Sequence, residues 1–106
     1  MLKDSADFIA PRFPGGAPGI GELLGANLVY PKQASRNGTQ GRVIVTFIIE
    51  KDGHLTDIKV ARGIGDGCDE EAVRVIKLSP NWKPGYLSGI PVRVAFSVPV
   101  SFTMGR

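Results

Sequence analysis

The sequence predicts an α+β fold: a three-stranded antiparallel sheet, made of a hairpin plus a C-terminal edge strand, with a helix packed on one face and short N-terminal helices. Three observations support this prediction. Residues 42–50 and 91–102 alternate apolar side chains in the manner of strands. Asp52-Gly53, a pair common in hairpin turns, follows the first run. Between the two runs, residues 68–79 carry an apolar stripe at helical spacing.

The hairpin joins a strand over 42–50 to a second strand over 55–62. Asp52-Gly53 tolerates the positive φ angles of a type I′ turn, which we therefore predict here. His54, the only histidine, follows this turn without a neighbouring group to form a metal site or a catalytic pair. We expect it to be an exposed turn residue.

The last predicted strand, over 91–102, has one apolar face from Val92 to Phe102 at every second position. Pro99 lies inside this run. Because proline cannot donate a hydrogen bond to a ladder, the strand is predicted to lie at a sheet edge.

Short helices are predicted over 20–28 and 32–36, the second one ended by Asn37-Gly38. Gly21 and Gly25 each weaken the first helix by about 1 kcal/mol relative to Ala. Prolines and glycines are frequent in residues 1–19, which are predicted to be a Pro/Gly-rich linker ahead of a domain over 20–106.

The helix over 68–79 is expected to begin near Asp66 or Cys68, with Asp69, Glu70 and Glu71 in its first turn. Pro80 ends it, and Trp82 is predicted to cover one end of the core. We expect Cys68 to be a small buried apolar residue, since one distant histidine makes no thiol dyad. The three acidic residues are interpreted as helix-start charges rather than metal ligands.

Composition narrows the class of function. The 106 residues suffice for one domain, and the formal net charge of +3 does not indicate nucleic-acid binding. No acidic residue follows Glu71, so every charged side chain of the C-terminal third is basic. This charge would attract an acidic partner, although composition alone favours a solubilising surface. The glycines of 63–67 lack the Lys-Ser/Thr of a phosphate loop. Neither an enzyme, a cofactor, a metal site nor a membrane-crossing segment is predicted.

Six short motifs, in order, resemble the TonB C-terminal domain family, in the version common in Bacteroidetes-like energy transducers. They are Phe13-Pro14-Gly15-Gly16, Tyr30-Pro31, Gly41-Arg42-Val43-Ile44-Val45, Asp52-Gly53, Cys68-Asp69-Glu70-Glu71-Ala72, and Trp82-Lys83-Pro84-Gly85 followed by Pro91-Val92-Arg93-Val94. The resemblance covers about residues 13–102 and implies a TonB C-terminal-domain-like fold.

The resemblance also implies a mechanical function. Similar domains lie in the periplasm, and their parent proteins are anchored in the inner membrane of Gram-negative bacteria beside an ExbB/ExbD-type motor. They bind the TonB box, an N-terminal peptide of TonB-dependent outer-membrane transporters. They transmit proton-motive-force-derived energy for import of substrates such as siderophores, vitamins or glycans. We expect the anchor and the motor-binding part to lie outside these residues.

Family members bind the peptide along the final strand, with residues near the Tyr-Pro motif. An open edge independently favours β-strand addition, and Pro99 is expected to mark where pairing stops. We expect Arg93 to meet an acidic peptide residue. An alternative is a TonB-like interaction domain of a membrane sensor or peptidase, and an open edge also permits a homodimer. The predicted peptide-binding residues are Arg93, Val94, Ala95, Phe96, Ser97, Val98, Val29 and Tyr30.

Overall fold

Nine elements of secondary structure occur in a computed structural model that describes residues 7–104. Their strands form two antiparallel three-stranded sheets, ordered β3-β2-β6 and β1-β4-β5. The larger sheet is the predicted one, and the α+β fold is confirmed. The elements are β1 (Phe8–Ile9), α1 (Ala17–Asn27), α2 (Lys32–Asn37), β2 (Gly41–Ile49), β3 (Leu55–Arg62), α3 (Cys68–Ile76), β4 (Gly85–Leu87), β5 (Ile90–Val92) and β6 (Val94–Phe102).

The core lies on one face of the larger sheet, where α3 packs across β2 and β3. Every second residue of β2 and the C-terminal half of β6 is buried there, as strand alternation requires. Cys68 is fully buried, as predicted. The buried apolar residues of β2, α3 and β6 are Val43, Val45, Phe47, Ile49, Cys68, Ala72, Val75, Ile76, Val98, Val100 and Phe102.

The hairpin turn differs from the predicted type I′ turn. The Gly53 N–H donates to the Glu50 carbonyl at 2.8 Å, and the Glu50 N–H donates to the His54 carbonyl at 2.9 Å. Of the three loop residues, only Gly53 has a positive φ, of 93°. This is a three-residue loop with a glycine bulge. A Cβ at Gly53 would lie 1.9 Å from the Trp82 carbonyl oxygen, so close packing selects glycine.

The prediction of one continuous strand over 91–102 is wrong. β5 and β6 belong to different sheets, and Arg93 between them lies in neither. β5 forms a tight hairpin with β4 through Ser88-Gly89, whose φ angles of 51° and 82° suit a type I′ turn. The alternation of apolar residues passes through the break unchanged, and it therefore hides the change of partner.

Regular structure begins earlier than the predicted linker allows. β1 pairs with β4, and Phe13 is buried with its ring 5.4 Å from that of Trp82. α1 starts at Ala17, helped by Pro18 in its first turn. Within the predicted linker, β1 and the start of α1 are therefore regular. Residues 1–6 lie outside the described part of the chain, and the boundary at residue 20 stays a prediction.

Trp82 lies at one end of the core, as the sequence predicts. Its side chain is 5% exposed. Its ring lies 5.6 Å from that of Phe47 and 5.2 Å from that of Phe96, measured between centroids. The Trp82 N–H donates to the Gly53 carbonyl at 2.8 Å, which joins this aromatic cluster to the hairpin turn. The cluster supports the N-terminal half of β6.

Candidate peptide-binding edge

β6 is an edge strand of the larger sheet, and no strand within residues 7–104 pairs with its outer side. Its inner side pairs with β2 without a register shift, from Ile49 opposite Val94 to Gly41 opposite Phe102. Pro99 lies within this regular stretch, opposite Ile44. The predicted edge position of this strand is therefore confirmed.

The hydrogen bonds of the hairpin show which backbone groups of β6 face outward. The Glu50 N–H donates to the His54 carbonyl, so the backbone N–H and C=O groups of Glu50 point to β3. Because these groups alternate along a strand, those of every second residue before Glu50 point to β3 as well. The register shifts between β2 and β3 add residues only to β3, and the alternation continues along β2. Ile44 hence faces β3, and its partner Pro99 turns its backbone away from β2. The same alternation turns the backbone groups of Ala95, Ser97 and Ser101 outward.

This arrangement explains why a proline is tolerated inside β6. Its missing N–H belongs to the outer row, so the ladder to β2 loses no hydrogen bond. The outer row offers an N–H and a C=O at Ala95, Ser97 and Ser101, and a C=O alone at Pro99. β6 contains no charged residue. Such a row is a template for a further strand.

Helix α1 borders the C-terminal half of this edge, and the two elements enclose an open groove of about 390 Å³. Ile20, Leu23 and Leu24 of α1 are partly buried against the core. The groove has no charged lining residue. Its lining residues are Gly21, Leu24 and Gly25 of α1, Leu28 directly after that helix, and Pro99 and Ser101 of β6.

The C-terminal end of α1 is held on α3 by hydrogen bonds to the two members of an ion pair within α3. Glu71 accepts hydrogen bonds from the Val29 N–H at 2.7 Å and from Arg74 Nη2 at 2.8 Å. Arg74 Nη2 also donates to the Asn27 carbonyl at 2.8 Å. The hydrogen bond from Arg74, together with that from Val29, holds the pKa of Glu71 below its usual range. This network joins the chain at the end of α1 to α3.

The predicted site residues lie in two places. The Tyr30 ring lies 5.8 Å from that of Phe102, and its hydroxyl donates to the Thr39 carbonyl, so Val29 and Tyr30 adjoin the C-terminal end of β6. Arg93 lies at the other end. At about 3.4 Å per residue, these ends are about 27 Å apart. The structure thus separates Val29 and Tyr30 from 93–98, and the groove lies along the path between them.

The predicted pairing stretch also divides by backbone direction. Ala95 and Ser97 turn their N–H and C=O outward, where a peptide can bind them. Val94, Phe96 and Val98 direct theirs to β2 and face the core side, with Val98 buried and the other two half-buried. Only alternate residues of the predicted stretch can therefore bind a peptide through the backbone.

Arg93 already has an acidic partner within the domain. Its Nε donates to Glu50 Oε1 at 2.7 Å and its Nη2 to Glu50 Oε2 at 3.1 Å. This hydrogen bonding, with a further bond from Thr56, lowers the pKa of Glu50 to about 2. An acidic peptide residue would have to compete with Glu50 for the guanidinium. The expected contact between Arg93 and the peptide stays a prediction.

Sequence reasoning misses the residues of α1 that line the groove. It treats Gly21 and Gly25 only as weak points of a helix, and it places the end of pairing at Pro99. The available signal is the spacing of Gly21-Gly25 and Leu24-Leu28, two i, i+4 pairs that share one side of the helix. That signal does not tell which strand the helix borders, because the contact joins residues far apart in sequence.

Residues 7–104 contain no cluster of three or more His, Cys, Asp or Glu side chains placed to hold a metal ion. Within the same residues, no helix combines the length and the apolar character needed to cross a membrane. Asp69 instead accepts hydrogen bonds from the Ile64 and Gly65 N–H groups at 2.8 and 3.2 Å, before α3 begins. His54 is exposed and contacts Asp52 beside the hairpin turn.

Comparisons with known proteins extend this description. Residues 26–104 match the family model described as Gram-negative bacterial TonB protein C-terminal. The TonB proteins of Helicobacter pylori strains J99 and 26695 are each 35% identical over 72 residues, which is 65% of this chain. The chain spans only about a quarter of these relatives, 26% and 25% of their lengths.

Two solution structures of the Helicobacter pylori TonB C-terminal domain, a longer and a shorter fragment, are similar in fold. The longer is 27% identical with a TM-score of 0.62, covering 82% of this chain and 78% of that fragment. The shorter is 28% identical with a TM-score of 0.59, covering 81% and 90%. The family match spans most of the described residues, including all of β2, β3, α3 and β6. This chain belongs to the family of Gram-negative bacterial TonB protein C-terminal domains.

Proposed function

We propose that this domain binds the TonB box of TonB-dependent outer-membrane transporters by adding it as a strand to the outer edge of β6. The domain then acts as a non-catalytic mechanical link in the periplasm. The force comes from an ExbB/ExbD-type motor in the inner membrane, acting through a part of the parent protein outside these residues. Its use is active import of substrates such as siderophores, vitamins or glycans.

The observation that carries the proposal is the regular outer row of β6. Three residues offer both an N–H and a C=O there, and a fourth offers a C=O, along a strand without charges. An extended peptide meets these groups whatever its side chains are, which suits a domain that serves several transporters. Family membership supports the same proposal.

The expected affinity is modest. Each hydrogen bond contributes roughly 0.5–1.5 kcal/mol net, and ordering a flexible peptide offsets much of the sum. Resistance to a pull along the strand does not follow from this affinity, because the hydrogen bonds share the load and must break together. A connection of this kind engages and releases readily yet holds while force acts.

The direct test is titration of the isotopically labelled domain with N-terminal peptides of transporters from its own genome, followed by backbone amide NMR. We expect shifts concentrated on Ala95, Ser97 and Ser101. A peptide with a central proline is the peptide control, and it should lose most of the effect. Absence of shifts with every such peptide at millimolar concentration would contradict the proposal.

A backbone variant makes the test specific. Ser97→Pro removes one outward N–H on a row that already tolerates Pro99. It should weaken peptide binding by roughly 2- to 13-fold, the equivalent of one hydrogen bond. Ser97→Ala keeps the N–H and is the matched control, expected to bind like the wild type. Equal affinity of all three proteins would contradict strand addition at β6.

A further inference from the structure

The groove between α1 and β6 has a clear geometric relation to a peptide paired with β6. An added strand lies about 4.8 Å beyond β6, and its side chains point alternately to the two faces of the sheet. One of these faces carries the helices. A peptide side chain on that face, beside Val100 and between Pro99 and Ser101, meets α1 and the groove.

The lining of the groove favours an apolar side chain. Leu24 and Leu28 supply half-buried apolar walls, and no charged group lines the space. The volume of about 390 Å³ falls within the roughly 300–1,000 Å³ typical of ligand pockets. The groove is therefore large enough for a bulky residue.

Gly21 and Gly25 keep this space open. A Cβ built at either position meets no other atom within 4 Å, so neither glycine is required by packing inside the domain. Both also have ordinary negative φ angles, since neither is among the glycines with a positive φ. Two glycines at these helix positions, each less favourable than Ala, gain nothing from the fold that the structure describes. A ligand that enters the groove accounts for them.

From these observations we propose that the α1–β6 groove is a specificity pocket that takes one large apolar side chain of the peptide bound to β6. This inference rests on the proposed strand addition and adds to it a side-chain preference. The outer row of β6 binds only the backbone of the peptide. The pocket selects a peptide register in which a bulky apolar residue lies beside Val100, between Pro99 and Ser101, and so points to the core side and α1.

The test fills the pocket without disturbing the fold. Gly25→Leu places a side chain in the groove, and leucine favours a helix more than glycine does. Ala26→Leu is the matched control, an exposed neighbouring position of α1 that does not line the groove. Dissociation constants are measured by calorimetry with the transporter peptide that binds the wild-type domain most tightly.

We expect Gly25→Leu to weaken binding by about 10- to 100-fold, the loss of one buried apolar side chain, with a thermal midpoint at or above that of the wild type. Ala26→Leu should stay within about twofold of the wild type. An alanine scan of the peptide should find one apolar position whose truncation weakens binding to the wild type but not to Gly25→Leu.

The possible outcomes separate the two proposals. If the wild type binds and Ser97→Pro weakens it, but Gly25→Leu binds like the wild type, strand addition stands and the pocket is refuted. If no peptide position shows dependence on residue 25, the pocket is refuted as well. If the wild-type domain binds no transporter peptide, both proposals fail.

Discussion

The two edges of the larger sheet are built differently. β3 pairs with β2 through two register irregularities, one of them around Asp57, whose φ of 52° is in the left-handed region. Its exposed residues include Asp57, Lys59 and Arg62. β6 pairs with β2 without interruption and carries no charge. Bulges and charges are the usual protection of an edge against further pairing, so one edge of this sheet is closed and the other is left open.

The open edge lacks the bulges and charges that the other edge of the same sheet carries. The same central strand supports both neighbours, and alternating sequences occur in both. A single substitution, such as a lysine in the outer row of β6, would protect this edge against pairing with a further strand. The absence of such protection on one edge only is the physical basis of the proposed strand addition.

The largest expected effect comes from moving the proline to the inner row of β6. Val98→Pro removes the N–H that pairs with β2 at Val45, and should lower the free energy of unfolding by about 3 kcal/mol. Ser97→Pro, on the outer row, should cost less than about 1 kcal/mol. Urea denaturation measures both, and Val98→Ala corrects for the lost side chain. Similar losses for the two proline variants would show that the assignment of inner and outer rows is wrong.

A smaller effect is expected at the closed edge. Asp57→Val places a β-branched residue at a left-handed position and should cost about 1–2 kcal/mol, while Asp57→Gly should be neutral or stabilising. Ala95→Val, on the regular open edge, is the control and should change stability by less than about 0.5 kcal/mol. Thermal or urea unfolding distinguishes the three variants. No cost for Asp57→Val would mean that the bulge does not constrain β3.

The sequence predicts the elements of both edges better than their pairing. The second hairpin strand has the predicted bounds, 55–62, yet its bulges are not visible in the alternation of Ile58 and Val60. Aspartate tolerates positive φ, so Asp57 is compatible with a bulge without requiring one. Pairing depends on contacts between distant residues, which local patterns do not contain.

The same limit applies to the candidate site. Pro99 indicates an edge strand correctly, because a missing N–H has one consistent place in a sheet. The change of sheet at Arg93 leaves no trace in the apolar alternation, since it is caused by pairing of β5 with β4. The groove likewise brings α1 beside β6, residues far apart in sequence. The sequence predicts strand β6, whereas the position of helix α1, which lines the groove beside it, is known only from the structure.

The smallest expected effect concerns Glu50, which connects the two edges by accepting hydrogen bonds from Thr56 of β3 and from Arg93 before β6. Its pKa in the folded state, about 2, is below the ordinary value of 4.5. Between about pH 4.5 and pH 2, Glu50 is protonated in the unfolded chain but still ionised in the folded domain. The stabilisation from ionised Glu50 is therefore complete above about pH 4.5 and is lost as the pH falls toward 2. Glu50→Gln should therefore show a weaker fall in stability between pH 5 and about pH 2.5 than the wild type, in urea titrations at each pH.

Glu70→Gln is the control, since the Glu70 side chain makes no ion pair with any of residues 7–104. If Glu50→Gln and the wild type lose stability in parallel as the pH falls, Glu50 has no part in joining the edges. The open edge would then be held in place by its ladder to β2 and the aromatic cluster alone.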